Sequence, residues 1–410
     1  MNRVVRLIKG PIVKRINSNK RRDPELWVFG EWFGERCCDN SLFFANYVAE
    51  RDSNIHVVWI AKKQTDTTLL NPCISVVCMD TVEAKQVLKK CGVAIISQGL
   101  KDLSSDEMNY LDGAISVHLW HGIPWKKIGH DGSARNGFFS KLYRRINDYS
   151  FGTEYYASPS DEYDIVAESA HGAKKHQMIH VGYPRNSVFY SRDSICQRRN
   201  SIIEELKKTS SDIEYSNCRI IVYMPTFRKN GSQPFSFNSL LSNKQFVTFL
   251  EEQNVVVIQK AHFVDQKKLD ENTHEVSNRI VTLNNVLAQD LLCAADLLVS
   301  DYSGAFFDYL LLDRPIIHYL YDYENYKYKD RGLYYDKEDV MAGEEADDET
   351  QLVDAIIRNL ENPNLYQKRR QLIKQRYVKY DSENSCEELY SAIVHFVAQR
   401  VKTTKRNRTL

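Results

Sequence analysis

Ala114-Ile-Ser-Val-His-Leu-Trp-His-Gly-Ile-Pro-Trp-Lys-Lys-Ile-Gly129 is an apolar, β-rich run that breaks into histidine, glycine, proline and lysine. Its alternation predicts a strand over 115–120, ended by the Gly122-Ile-Pro124 turn, so His121 stands at the strand's carboxyl end. In open α/β sheets ligands bind outside that edge. Along such a strand His118 and Trp120 share one face and Leu119 and His121 the other, and His118 is read as a packing residue.

Outward from this stretch, short β-rich runs alternate with helix-length segments. Strands are expected at 26–29, 56–61, 74–79, 93–97, 115–120, 155–158 and 178–181, followed by a charged helix near 192–208. A second series is expected at 220–223, 255–259, 280–283, 297–300 and 316–319. Such alternation is the mark of βα units and parallel sheets. The expected fold is therefore α/β, with two Rossmann-like doubly wound domains facing across a cleft. A basic amphipathic segment occupies 1–24, the first domain 25–190 and the second 191–380, and 381–410 carries a helix crossing back and a basic tail.

The composition suits two ordinary domains: 410 residues, 43% hydrophobic and 27% charged. A formal net charge of +1 gives no global pull toward nucleic acid, so anions must be attracted by local clusters. Nine cysteines without a Cys-x-x-Cys pair argue for a reducing cytoplasm. No signal peptide is apparent, and no apolar run approaches the roughly 20 residues of a membrane span. The first 22 residues interleave Val4, Leu7, Ile8 and Ile12 with cations from Arg3 to Arg22. At about 1 kcal/mol per cation, this segment is expected to hold an anionic membrane surface, the alternative being a solvated arm packed on the first domain.

Four further segments follow the opening stretch: Gly182-Tyr-Pro-Arg-Asn186, Tyr223-Met-Pro-Thr-Phe-Arg228, Lys260-Ala-His262, and Ser300-Asp-Tyr-Ser303 leading to Phe307-Asp308. The last continues through Arg314-Pro315, Tyr321-Asp-Tyr-Glu-Asn-Tyr326 and Arg331-Gly332. Together with Trp-His-Gly-x-Pro-x-Lys they resemble the CDP-glycerol glycerophosphotransferase family, which builds teichoic acids and related polyol-phosphate polymers. The resemblance implies the GT-B architecture and transfer of a polyol phosphate, glycerol phosphate first, from CDP-glycerol or CDP-ribitol. The acceptor would be a hydroxyl of a lipid-linked saccharide or polyol-phosphate polymer, CMP the leaving group, and teichoic acid, capsule or a related surface polymer the product. The enzyme would work peripherally on the cytoplasmic face of the cell membrane.

That chemistry needs a base, cations or N–H groups around a diphosphate, and exclusion of water. His121 is the expected base, since imidazole titrates near neutrality. His262, at the end of the 255–259 run, matches the family's second essential histidine and would bond the donor phosphate or assist the leaving group. Arg228 and Arg331 offer planar forks to phosphoryl oxygens. Ser300, Asp301, Ser303 and Gly304 close a strand and open a helix with Ser303 as its expected N-cap, a phosphate-binding arrangement. Gly304 replaces the last serine of the family's commoner Ser-Asp-Tyr-Ser-Ser, easing close backbone approach. Lys127 and Arg185, with Lys126, are loop cations of the first domain placed to steer the acceptor or its phosphates. Asp301, Asp308 and Asp322 lack metal-ligand spacing, so no metal and no tightly bound cofactor are expected, the Mg2+ requirement staying open. A GT-B glycosyltransferase using a nucleotide sugar is the alternative, and a non-catalytic carbohydrate-binding scaffold leaves the converging motifs unexplained.

Overall fold

In the computed structural model the described residues are 21–106, 110–132, 153–209, 213–215, 217–226, 235–260, 277–330 and 332–409. The chain divides into two compact units, residues 1–121, 129–187 and 379–410 forming unit 1, and residues 122–128 and 188–378 forming unit 2. Unit 1 holds seven strands in the order β3-β2-β1-β4-β5-β6-β7. They are β1 Asp23–Phe29, β2 His56–Ala61, β3 Ser75–Cys78, β4 Cys91–Ile96, β5 Ile115–His118, β6 Tyr155–Ser158 and β7 Met178–His180. Unit 2 holds six, ordered β10-β9-β8-β11-β12-β13. These are β8 Arg219–Met224, β9 Val255–Gln259, β10 Ile280–Thr282, β11 Leu297–Ser300, β12 Ile316–Tyr319 and β13 Glu344–Ala346. Every pairing is parallel. Each sheet winds outward from its first strand and then crosses to the other side, which makes β1/β4 and β8/β11 topological switch points.

The strands are apolar on both faces because helices cover both faces of a doubly wound sheet. In unit 1, Trp27, Phe29, Trp59, Val93 and Ile95 meet Phe44 and Val48 of the helix Asn40–Arg51 and Leu389 and Ile393 of the helix Ser385–Thr409. Val28, Val58, Ile60, Ala94 and Ile96 face the other way, onto Leu88 of the helix Val82–Lys90. In unit 2, Tyr223, Val257, Val299 and Ile317 pack with Phe246, Leu250, Leu352 and Ile356.

Four features depart from the sequence reading. β5 stops at His118 rather than 120, because Trp120 adopts a left-handed φ of 58° that breaks the pleat. β13 has no apolar run to announce it, being Glu-Glu-Ala at a sheet edge. The segment Gly122–Ile128, expected in the first domain, packs within unit 2. The last helices, which the sequence places at about 365–377 and 387–401 as both crossing back onto the first domain, divide instead, Ser385–Thr409 belonging to unit 1 and Gln367–Tyr377 to unit 2.

Among the described residues no helix is long and apolar enough to cross a membrane. Residues 1–20 of the basic segment lie outside the described residues. Arg22 is already engaged: its guanidinium donates to the carbonyls of Leu88 (2.7 Å), Tyr110 (2.7 Å) and Asp112 (2.6 Å).

Three buried histidines set the acid behaviour of the fold. Burial holds His118 well below the usual imidazole range, and brings His171 to about 4 and His318 to about 3. The His318 ring accepts from the Ala342 N–H at 3.0 Å, which requires the neutral form. Burial raises Asp102 to about 6 and Glu31 well above the carboxylate range, so these two keep protons that the unfolded chain releases. About one pH unit below the imidazole midpoint of roughly 6.5 the unfolded chain has gained nearly three imidazole protons and the folded chain up to two carboxyl protons, so unfolding takes up about one net proton. Stability is therefore expected to fall by about 1.4 kcal/mol per pH unit as the pH drops from about 5.5 to 4.5, and more gently above that. Urea unfolding at stepped pH checks this, and a flat or rising trend would refute it.

Candidate active site

His121 follows β5 at the carboxyl edge of unit 1, and the structure fixes it from several directions. The Trp120 carbonyl accepts from Asn40 Nδ2 at 3.0 Å, and the His121 carbonyl accepts from Arg185 Nη1 at 3.1 Å. Its Nδ1 lies 2.9 Å from the Gln98 amide, just beyond β4. The Trp120 and Trp32 rings flank it, with centroids at 4.1 and 5.3 Å. His118, by contrast, is fully buried among Trp120, Tyr156 and His171, a packing position.

Buried carboxyl groups organise the surrounding backbone. Asp102 accepts the N–H groups of Ser97 (2.8 Å) and Gln98 (2.6 Å) after β4, and that of Phe33 (2.9 Å) after β1. One side chain thus ties both strand ends of the switch point and sets the residue that touches His121. Glu31 accepts the N–H groups of Cys38 and Asp39. Asp39 receives Arg185 Nη1 at 2.7 Å and Trp32 Nε1 at 3.2 Å.

Arg185 therefore departs from its expected part in steering anions. Its side chain is 9% exposed and its charge is matched by Asp39, so the guanidinium serves as an internal clamp on the His121 backbone. The rest of its motif is structural too: the Tyr183 N–H and the Asn186 amide both donate to Asp381.

In unit 2 an aspartate does what Asp102 does in unit 1. Asp301, fully buried, takes the Thr226 N–H on both oxygens (2.9 and 3.0 Å) and the Ser303 N–H (3.2 Å), tying the segments after β8 and β11. A carboxylate so used holds the loop, and the expectation that it contacts donor phosphate gives way to that geometry. Ser300 is likewise buried inside the strand end. The following helix is Ala305–Tyr309, its N-cap is Gly304 rather than Ser303, and the Ser303 hydroxyl accepts from Ala305 N–H at 3.4 Å. Lys260 Nζ donates to the carbonyls of Asn284 (3.0 Å) and Val286 (2.6 Å).

The segment Gly122–Ile128 is anchored here by Trp125, which is fully buried against Tyr302, Phe306 and His318 and donates Nε1–H to the Tyr335 carbonyl at 2.9 Å. Lys127 N–H donates to the Gly332 carbonyl at 3.0 Å, and Tyr334 N–H to that of Trp125 at 2.9 Å. A Cβ on Gly304 would stand 2.6 Å from the Ile123 carbonyl oxygen, so the serine common in the resembling family cannot be seated without displacing this loop. Arg228, His262 and Arg331 lie outside the described residues.

Sequence reasoning missed Trp32, Asp39, Gln98, Asp102 and Trp125. Gln98 and the Glu31-Trp32 pair do carry one signal, since each directly follows an apolar strand at the edge where ligands gather. Asp161, Asp164 and His180 could in principle converge on a cation, yet Asp161 already bonds Lys379 and Asp164 bonds His180 and Ser158.

A family model described as CDP-Glycerol:Poly(glycerophosphate) glycerophosphotransferase matches residues 12–395. The teichoic acid glycerol-phosphate transferase of Staphylococcus aureus is 24% identical over 390 residues, covering 92% of this chain and 94% of that protein. The teichoic acid ribitol-phosphate primase of Bacillus spizizenii is 25% identical over 294 residues, covering 69% and 70%. The structure of the wall teichoic acid polymerase TagF matches with a TM-score of 0.76 at 19% identity over 97% of each chain. A variant of it soaked with CDPG matches at 0.74, with 20% identity over 98% of this chain and 97% of that one. These likenesses establish the expected α/β fold of GT-B type.

Proposed function

The chain belongs to the CDP-glycerol:poly(glycerophosphate) glycerophosphotransferase family, and from that premise we propose that it transfers glycerol phosphate from CDP-glycerol to an acceptor hydroxyl, releasing CMP. The acceptor oxygen attacks the phosphorus that carries the glycerol, the bond from that phosphorus to the CMP oxygen breaks, and His121 takes the hydroxyl proton. The observation that carries this reading is the fixed imidazole: Gln98 holds Nδ1, and Asn40 and Arg185 hold the carbonyls on either side of the residue's own backbone. The Gln98 Nε2 group faces Nδ1, an arrangement that leaves the ring proton on His121 Nε2; for Nε2 to receive the hydroxyl proton, the Gln98 amide turns over in the working enzyme so that its Oε1 accepts from Nδ1–H.

On the donor side His262, Arg228 and Arg331 are assigned to the diphosphate by their motif positions, together with the backbone at Ser303 and Gly304, while Lys127 is assigned to steering the acceptor or its phosphates. Asp301 positions the Thr226 and Ser303 backbone, and Arg185 that of His121, without touching substrate. The acceptor is a lipid-linked saccharide or a polyol-phosphate polymer of the teichoic acid kind. The enzyme works peripherally at the cytoplasmic membrane face, held by the cations of segment 1–24 other than Arg22.

The test is CMP release by the full chain with a membrane-lipid extract as acceptor and CDP-glycerol, CDP-ribitol or a nucleotide sugar as donor. Acceptor-dependent release from CDP-glycerol, persisting in excess chelator, is the expected result. Release from CDP-ribitol alone would change the donor, and turnover only with a nucleotide sugar would overturn polyol-phosphate transfer.

A further inference from the structure

Among the described residues, six other than glycine adopt positive φ: Trp32 (47°), Phe33 (60°), Asp80, Trp120 (58°), Asn254 and Asp313. Asn and Asp visit this region readily, whereas a bulky aromatic there is an outlier. Trp32 and Trp120 are the two rings that flank His121, and Phe33 follows Trp32. Left-handed backbone costs an L-residue about 1–2 kcal/mol, and glycine would relieve it. What these positions retain despite the strain is therefore the side chain.

Packing accounts for Trp120, which is 7% exposed and lies against His171 as well as His121. The other two keep aromatic surface in solvent. Phe33 is 37% exposed and Trp32 is only half-buried, although their backbone is firmly held. Asp102 takes the Phe33 N–H, Asp39 takes the indole N–H, and Gly34 N–H donates to the Glu31 carbonyl at 2.9 Å. A rigid polar scaffold thus presents aromatic surface to solvent beside the base, the setting in which backbone strain marks a ligand contact.

We infer that Trp32 and Phe33 seat the acceptor by stacking on the C–H face of a pyranose ring. This rests on the transfer reading, since a molecule held beside His121 is then the acceptor. A ring sugar offers a flat apolar face to an indole, with hydroxyls around its rim for an imidazole whose centroid is 5.3 Å away. An acyclic polyol phosphate has no such face, and Glu31, Asp39 and Asp102, the acidic groups supporting the turn, give its charge no attraction.

The experiment is saturation-transfer NMR on the full chain without donor, using methyl β-D-glucopyranoside and methyl N-acetyl-β-D-glucosaminide as probes and glycerol 3-phosphate as the control. Irradiating aromatic protons should saturate the sugar C–H protons of one ring face in wild type and leave glycerol 3-phosphate weak. Trp32→Gly and Phe33→Gly should each cut the sugar signal at least fivefold. Phe33→Gly removes a strained, exposed residue and should unfold no earlier than wild type, which keeps the test readable if Trp32→Gly folds poorly. Equal saturation in all three proteins, no sugar saturation in wild type, or a dominant glycerol 3-phosphate signal overturns the seat. Because no turnover is involved, sugar stacking without CMP release from any CDP donor would count against the transfer reading alone.

Discussion

Replacing His121 with Asn is expected to lower kcat for CMP release by about 10³-fold, within the usual worth of a positioned general base, while leaving donor binding unchanged. Asn keeps a polar group that can meet Gln98 but offers no nitrogen that takes up a proton near neutrality. His121 is partly exposed, so the exchange should shift unfolding by less than about 1 kcal/mol. Loss of rate then reads as loss of chemistry. Donor affinity should survive because the groups assigned to the diphosphate belong to other motifs. Single-turnover CMP release and calorimetric CDP-glycerol binding separate the two effects. Wild-type turnover in His121→Asn would remove the base assignment, and intact turnover with weakened donor binding would move His121 to the diphosphate. Gln98→Leu is expected to cost a smaller factor, about 10- to 100-fold, because the imidazole remains but its tautomer and orientation are no longer fixed.

The sheets were legible in the sequence because burial on both faces writes each strand as a continuous apolar run. Val255-Val-Val-Ile-Gln259 and Leu297-Leu-Val-Ser300 match their expected bounds. β13 was not legible, since an edge strand of two glutamates and an alanine carries no such run. His121 could be picked out by its place after a strand. The groups that hold it could not, because Asp39 and Asp102 act by accepting backbone N–H groups, and a lone aspartate in a loop looks the same whether it faces water or is fully buried. Arg185 shows the converse error. Its motif position suggested an anion ligand, whereas its partner, Asp39, is 146 residues away in the chain and visible only in the fold. Ser303 is a third case: Ser-before-helix is a sound N-cap signal, but the residue directly before the helix is Gly304, and the Ser303 hydroxyl accepts the Ala305 N–H from one position earlier.

The buried Arg185 and Asp39 pair gives the largest expected effect on stability. Arg185→Leu should destabilise unit 1 by about 3–5 kcal/mol, because it leaves Asp39 charged and buried with only the Trp32 and Asn40 N–H groups to compensate it. Asp39→Leu strands the guanidinium instead and should cost a similar amount. The double variant removes both charges, so its cost should fall well short of the sum, by about 2 kcal/mol or more, the signature of a coupled pair. Urea unfolding of the four proteins measures this coupling. A guanidinium that merely steered anionic acceptors would behave differently: Arg185→Leu would then leave stability within about 0.5 kcal/mol and weaken acceptor binding in a salt-dependent manner. Activity distinguishes the clamp further. Arg185 Nη1 bonds Asp39 and the His121 carbonyl together, so the double variant that regains stability should still lose kcat, one of the bonds that hold the His121 backbone being gone. Recovery of both stability and rate would show that the bond to His121 contributes nothing to catalysis.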